Sequence, residues 1–161
     1  MYRVAVTSTL LALGLLAGCS TLSPFSTLTK LDLTLTASEE VNPDLHGRPS
    51  PVVVRLLELR HPVAFENADF FSLYDRAEQT LSKDWLSSEE WELRPGEQLA
   101  LKLSVEPRGR YVGVLAGYRD LPHVQWRLVV PVAPSQLTRA DLVLDQAGIR
   151  MAAPQTDTAE H

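Results

Sequence analysis

Hydrophobic and polar residues alternate along much of the chain, which is the pattern of β-strands that bury one face. Residues 31–36 alternate without exception, whereas residues 111–118 are apolar at nearly every position, as in a strand covered on both faces. The predicted strands are residues 31–36, 52–59, 99–105, 111–118, 126–130, 141–144 and 149–152. About seven or eight short strands separated by turn residues predict a mainly β fold, a two-sheet β-sandwich.

One segment, residues 67–86, has apolar residues at helical spacing instead. These residues are Phe70, Phe71, Leu73, Tyr74, Ala77 and Leu81. Asn67 is expected to cap the helix, and Asp69 to interact favourably with its dipole. We expect this helical insertion to pack against a sheet, with Trp85 and Trp91 closing the same core; a ligand-binding stripe is the alternative interpretation.

Two glycines, Gly113 and Gly117, are four residues apart in a predicted strand and therefore lie on the same face. Missing side chains at these positions predict close approach by a bulky neighbour or by another backbone segment.

The amino terminus has the pattern of an export signal. Arg3 precedes a short apolar run over residues 4–16. As a helix this run would extend about 20 Å, less than the ~30 Å hydrocarbon core of a bilayer, so a transmembrane helix is the weaker interpretation.

The apolar run ends in Leu16-Ala17-Gly18-Cys19, which resembles the lipobox of bacterial lipoproteins. Residues 1–18 are then a removable signal and Cys19 the lipidated first residue of the mature protein; a free buried cysteine is the alternative. A tether rich in Ser and Thr follows at residues 19–29, and a disordered tail is expected at 153–161, after the domain of residues 30–152. By resemblance to the sorting of such lipoproteins, Ser20 in place of aspartate favours the outer membrane.

Composition and charge narrow the possible partners. The 161 residues are 45% hydrophobic and 22% charged, which is ordinary globular usage, and the net charge is −5. Without a run of Lys or Arg the chain has no electrostatic signature for binding nucleic acid.

No constellation of residues indicates catalysis or a cofactor. The histidines, at 46, 61, 123 and 161, are not at zinc-ligand spacing, and no phosphate loop, HExxH or GxSxG sequence occurs. The adjacent pairs Glu39-Glu40 and Glu89-Glu90 are interpreted as solvated turn charges. We therefore expect no catalytic, cofactor-binding or metal-binding residues, and not an enzyme.

The loop between the first two predicted strands, residues 38–51, is unusually long. It contains three prolines and one glycine among fourteen residues, whereas β connections usually have two to five. Long ordered loops are often functional, and prolines reduce the entropy lost on binding. Val41 and Leu45 are candidates to anchor it; a tolerated surface loop is the alternative.

Several motifs together resemble the type VI secretion lipoprotein family TssJ, also called VasD or SciN. The resemblance covers about residues 30–152, behind the lipobox that the family requires. The motifs are residues 42–44, 47–55, 65, 68–74, 95–96, 111–113, 116–120 and 126–127.

The resemblance implies a transthyretin-like β-sandwich with added helical elements, on the periplasmic face of the outer membrane. It also implies binding to the periplasmic part of the inner-membrane protein TssM, and thereby assembly of the secretion membrane complex with TssL. The loop after the first strand is implicated in TssM contact. The implied partner-binding residues are Asn42, Pro43, Asp44, Leu45, Gly47, Arg48 and Pro49.

Two questions stay open at the level of sequence. Arg48 is a candidate hot spot, but it could instead pair with Glu39, Glu40 or Asp44 to hold the loop together. The rival to an assembly lipoprotein is a periplasmic ligand-binding or carrier lipoprotein, because fold does not fix function. A solid interior would favour assembly, and a large apolar cavity would favour a carrier.

Overall fold

The computed structural model describes residues 27–153 and contains eight strands and two α-helices in that range. The elements are β1 (Thr29–Ala37), β2 (Val52–Leu59), α1 (Val63–Asn67), α2 (Phe70–Leu81), β3 (Trp85–Leu93), β4 (Gln98–Val105), β5 (Tyr111–Ala116), β6 (Arg127–Pro131), β7 (Leu137–Asp145) and β8 (Gly148–Met151). The predicted signal, Cys19, residues 19–26 of the tether and residues 154–161 of the tail lie outside the described residues. Within residues 27–153, neither helix is long and apolar enough to cross a membrane.

The strands form two four-stranded sheets, with the orders β4-β1-β7-β8 and β3-β2-β5-β6. In the first sheet β1 is central, antiparallel to β4 and parallel to β7. In the second, β2 pairs antiparallel with both β3 and β5. The predicted two-sheet β-sandwich with a helical insertion is confirmed.

The main core lies between the two sheets and follows the alternation in the sequence. Leu31, Leu33 and Leu35 of β1 are at most 1% exposed, and they share this core with Val54 and Val112 from the other sheet. Each such side chain contributes about 1.5–3 kcal/mol by leaving water. The alternating strands therefore hold the two sheets together.

A second core lies on the outer face of the β3-β2-β5-β6 sheet. Leu57, Leu59 and Leu115 of the sheet belong to this second core and not to the first. They pack with Phe65, Leu73 and Leu81 of the helical insertion, and all six side chains are buried. The helical stripe is thus packed against the sheet, except that Phe71 remains 64% exposed. This second cover explains why β2 and β5 are apolar on both faces.

Two arginines fasten the helical insertion to that sheet. The Arg127 Nη1 donates to the carbonyl oxygens of Phe65, at 2.9 Å, and Ala68, at 2.6 Å. The Arg55 guanidinium donates to the carbonyl of Tyr74 and lies 4.3 Å from the centroid of the Tyr74 ring. The bonds from Arg127 satisfy carbonyls at the end of α1, where intrahelical partners are missing. The bond from Arg55 lies next to a kink inside α2, where Arg76 is not helical.

The start of the insertion differs from the prediction. The helical insertion begins at Val63, and Asn67 is the last residue of α1, where its Nδ2 donates to the Val63 carbonyl. The prediction that Asn67 caps the helix is therefore wrong. The cap of α2 is Asp69, whose carboxylate accepts from the Ser72 N–H at 2.9 Å. The backbone becomes extended at Ala68 and ends α1, and the second helix therefore begins after this residue, with Asp69 as its cap.

The strand β3 was not predicted, because its sequence is polar and it lies at a sheet edge. Glu89 and Glu90 belong to this strand and not to a turn, and Glu90 accepts from Arg55 Nε at 3.0 Å. A β-bulge near its start shifts the alternation by one residue, so that Trp85 packs in the second core and Trp91 in the first. The expectation that both tryptophans close one core is therefore wrong.

The glycine prediction holds at one of the two positions. A Cβ at Gly113 would lie 2.8 Å from the ring of Phe65, closer than real Cβ contacts allow. A Cβ at Gly117 would lie 3.6 Å from the Val53 carbonyl oxygen, an ordinary contact. The absence of a side chain at Gly113 therefore provides the space into which Phe65 packs.

Adding one methyl group at each glycine separates these two environments. Gly113→Ala should lower the free energy of unfolding by about 1–3 kcal/mol because the ring of Phe65 must shift. Gly117→Ala should change it by about 0.5 kcal/mol or less. Urea unfolding of the two variants and of Gly113→Ala combined with Phe65→Leu measures this. In the double variant the penalty of the added methyl should shrink, and equal effects at both glycines would contradict the contact.

Candidate functional site

Four connections meet at one end of the sandwich. They are the β1–β2 loop of residues 38–51, the β3–β4 turn of residues 94–97, the β5–β6 loop of residues 117–126 and the β7–β8 turn of residues 146–147. The chain enters β1 at Thr29, at the opposite end. The long loop noted in the sequence therefore lies at the end of the sandwich opposite to Thr29, where β1 begins.

Asn42 fixes the base of the β1–β2 loop. It is 3% exposed and adopts a left-handed backbone conformation with φ of 48°. Its Nδ2 donates to the carbonyl of Pro51 at 2.7 Å, and its Oδ1 accepts from the Arg119 N–H at 2.8 Å. One side chain thus joins the start of the loop to its end and to the β5–β6 loop.

Asp44 orders the outer turn of the same loop. Its carboxylate accepts from the backbone N–H groups of His46, at 2.8 Å, and Arg48, at 3.0 Å, and pairs with the Arg48 guanidinium at 2.7 Å. These bonds to Arg48 lower the pKa of Asp44. Gly47 supplies the positive φ of 75° that closes the turn. Of the three carboxylates considered for Arg48, the partner is Asp44.

The predicted partner-binding residues divide into a buried base and an exposed tip. Asn42 is buried and Pro43 and Asp44 are half-buried. The exposed members are Leu45, Gly47, Arg48 and Pro49. Val41 is fully buried and anchors the loop, as predicted. Leu45 is fully exposed, so the prediction that it also anchors the loop is wrong.

A cleft of about 580 Å³ separates this loop from the β5–β6 loop. On one side are Asn42, Pro43, Asp44, Leu45 and His46, and on the other Tyr118, Arg119, Asp120, His123, Val124 and Gln146. The cleft brings together four of the seven predicted partner-binding residues, and Gly47, Arg48 and Pro49 do not line it. The wall made by Tyr118 and Arg119 was not identified as part of a site from the sequence, because only the folded chain brings it opposite residues 42–46.

The polar side chains of the cleft differ in their hydrogen bonding. Asp120 hydrogen-bonds His123, with Oδ1 2.7 Å from Nδ1. Tyr118 is 5% exposed, and its hydroxyl has no hydrogen-bond partner within residues 27–153. Burial raises the pKa of Tyr118, and the negative charge of Asp145 adds to this. The surface presents the exposed Leu45 on a loop that is held by hydrogen bonds, which suits the binding of another macromolecule.

Among residues 27–153, no group of three or more His, Cys, Asp or Glu side chains is placed to hold a metal ion.

The comparison with protein families and the comparison with solved structures point to the same family. A family model described as type VI secretion lipoprotein, with the names VasD, EvfM and TssJ, matches residues 29–147. The structure is similar to the T6SS lipoprotein TssJ1 from Pseudomonas aeruginosa, with 34% identity, a TM-score of 0.76, and coverage of 78% of this chain and 96% of that one. No curated protein matches to a significant degree.

Two further solved chains share the fold. Serratia marcescens Lip, a membrane-bound component of the type VI secretion system, is 28% identical with a TM-score of 0.72, covering 78% of this chain and 98% of that one. A chain in the structure described as the T6SS protein TssM C-terminal domain from EAEC is 22% identical with a TM-score of 0.64, covering 78% and 98%, and shows the fold alone. Because the family model matches well over half of the chain, this protein belongs to the TssJ family of type VI secretion lipoproteins.

Proposed function

We propose that this protein is an outer-membrane lipoprotein that binds the periplasmic domain of TssM through its β1–β2 loop. In this role it completes, together with TssM and TssL, the envelope-spanning membrane complex of a type VI secretion system. The observation that supports the proposal most is a loop fixed at its base by Asn42 and in its turn by Asp44, with Leu45 fully exposed.

The rigidity of the loop favours tight binding. Each flexible side chain immobilised on association costs about 0.5–1.5 kcal/mol, and a loop that is already hydrogen-bonded has less freedom to lose. The Asp44–Arg48 pair leaves the Arg48 side chain 75% exposed, so its remaining donors still face outward. The residues proposed to bind are Asn42, Pro43, Asp44, Leu45, Gly47, Arg48 and Pro49, with Asn42 and Asp44 shaping the surface that the others present.

The direction of β1 supports membrane anchoring at one end of the sandwich and partner binding at the other. Nine residues of strand at ~3.3 Å per residue separate Thr29 from the loop by roughly 30 Å. A lipid on Cys19 would hold the Thr29 end near the membrane, and the loop would then point away from it into the periplasm. This is the orientation that a partner reaching across the periplasm requires.

The geometry of the cleft favours assembly over a carrier function. Its 580 Å³ falls within the range of small-ligand sites, but it lies between surface loops and is lined by Asp44, Arg119 and Asp120. The space between the sheets is occupied by the side chains of the main core. A carrier of apolar ligands would need its cavity in that interior.

Lipidation can be tested at the lipobox. Cys19→Ser should leave an uncleaved precursor or release the protein from the outer membrane, because serine offers no thiol for the diacylglyceryl group. Membrane fractionation and intact-mass analysis measure this, with Ser26→Ala as the control that leaves the lipobox intact. An unmodified Cys19 thiol in the wild-type protein would contradict lipid anchoring.

Partner binding can be tested at two exposed apolar residues, Leu45 and Phe71, which belong to neither core. Leu45→Ser should weaken binding to the TssM periplasmic domain at least about 10-fold, as expected of an interface hot spot, with an unchanged melting temperature. Phe71→Ser, on the helical insertion, is the matched control and should leave the affinity unchanged. Calorimetric titration measures both. If Phe71→Ser loses binding and Leu45→Ser does not, the contact lies on the helical insertion.

A further inference from the structure

We infer that the end of the sandwich where β1 begins lies on the membrane and binds the anionic headgroups of the bilayer that holds the lipid anchor. This surface, the basic end, consists of Lys30 and the connections of residues 60–62, 82–84, 106–110 and 132–136. The inference rests on the lipid anchoring in the proposed function. It adds a second attachment, which sets the orientation of the domain above the membrane.

The register of the strands brings these connections together. Leu59, where β2 ends, pairs with Trp85, where β3 begins, and with Tyr111, where β5 begins. Lys30 pairs with Leu137, the first residue of β7. The cations of this end come from separate parts of the sequence, so that only the folded chain collects them on one surface.

The two ends of the sandwich carry charges of opposite sign. The connections of the basic end hold four cations, Arg60, Lys83, Arg108 and Arg110, against two carboxylates, Asp84 and Glu106. Lys30 adds a fifth positive charge to this end. The connections of the opposite end hold three cations, Arg48, Arg94 and Arg119, against five carboxylates, Glu39, Glu40, Asp44, Glu97 and Asp120. The basic end is therefore positive on a chain whose net charge is −5.

Most cations of the basic end are exposed and are not neutralised by the chain itself. The exposed members are Lys30, Lys83, Arg108 and Arg110. Within residues 27–153 none of these four forms an ion pair, and Arg110 Nη1 donates to two backbone carbonyls of its own loop, at 2.9 and 2.7 Å. On the adjoining sheet face, Asp32 lies in register between Lys102 and Arg139, and this row adds one more net positive charge.

The carboxylates at the basic end do not cancel this charge. Asp84 is half-buried, and its Oδ1 lies 2.9 Å from Nδ1 of His61. Glu58, near the end of β2, is also half-buried and accepts from the Glu106 N–H at 2.8 Å. Among the described connections of this end, Glu106 is thus the carboxylate that faces water.

Exposed leucines lie beside the cations. Leu28, which directly precedes β1, is 53% exposed, and Leu137 is 42% exposed. Basic side chains next to apolar ones are typical of surfaces that lie on a membrane, where the cations meet phosphate groups and the apolar side chains enter the boundary of the acyl region. A nucleic acid would use the charges but leave both leucines in water. The combination therefore favours a lipid surface.

The position of the anchor supports the same occupant. Cys19 and Thr29 are ten positions apart, and a chain of that length spans at most ~36 Å. A lipid on Cys19 would keep the basic end within this distance of the headgroups. Attraction between exposed charges acts within about 8–10 Å at physiological ionic strength, so it would hold the domain on the surface once the anchor has brought it there. The same anionic surface would repel the opposite end, which carries the β1–β2 loop.

The test measures how close each end lies to the bilayer. The full-length lipoprotein, purified from membranes in detergent, is inserted into preformed vesicles with a nitroxide quencher on their headgroups, made of phosphatidylcholine with or without phosphatidylglycerol. A fluorophore is attached to Gln136→Cys at the basic end or to Gln146→Cys at the opposite end, since both glutamines are exposed. Quenching at residue 136 should be at least about twofold stronger with phosphatidylglycerol and should fall in high salt. The label at residue 146 should stay unquenched with both lipids.

Charge reversal separates the surface from the anchor. Lys83→Glu combined with Arg108→Glu should abolish the added quenching at residue 136, while the protein stays attached through its lipid. Arg76→Glu combined with Arg94→Glu changes the net charge equally outside the basic end, and this matched control should behave like the wild type. All four side chains are exposed, so the melting temperature should be unchanged in both variants.

The outcomes distinguish this inference from the proposed function. An attached lipoprotein whose label at residue 136 is quenched equally with both lipids would overturn the inference and leave lipid anchoring intact. Stronger quenching at residue 146 than at residue 136, or full quenching in Lys83→Glu with Arg108→Glu, would also overturn it. A wild-type protein that inserts into neither kind of vesicle would overturn lipid anchoring and this inference together, whereas binding to the TssM domain is measured separately by calorimetry.

Discussion

The structure depends on one constraint: β2 and β5 are apolar on both faces, so both faces of their sheet must be shielded from water. The first sheet covers one face, and the helical insertion after β2 covers the other. Phe65 fits against Gly113 in this second cover, and Arg127 ties the adjacent carbonyls to the sheet. Without the insertion, Leu57 and Leu115 would be exposed to water, at a loss of about 1.5–3 kcal/mol each.

This arrangement leaves the ends of the sandwich as the places where surface can vary without disturbing a core. The outer face of the first sheet carries polar side chains such as Asp32, Lys102 and Arg139, in register across three strands. The loops at the far end are held by the buried Val41 and by side-chain hydrogen bonds, with Asn42 connecting two of the loops. A binding surface built in this way can change its sequence while the sheets stay the same.

The sequence predicts those parts of the structure that follow from local periodicity. Strands such as β1 and β4 alternate clearly because one face is buried, and the length of residues 38–51 marks the loop without reference to any contact. The edge strand β3 could not be predicted in this way, because it has no regular apolar pattern of its own. Its strand conformation depends on pairing with β2 and on a β-bulge. The same holds for the Asn42–Arg119 bond and the cleft wall at Tyr118, which join residues distant in sequence.

The central position of β1 has a mechanical consequence. Force applied between the amino-terminal segment and the β1–β2 loop would run along β1, which is hydrogen-bonded on both sides, to β4 and to β7. The ladder bonds lie across the strand, so that the load would shear all of them together and would not open them one after another. A domain loaded between these two ends resists extension as a unit, and its lifetime under tension is set by its unfolding rate.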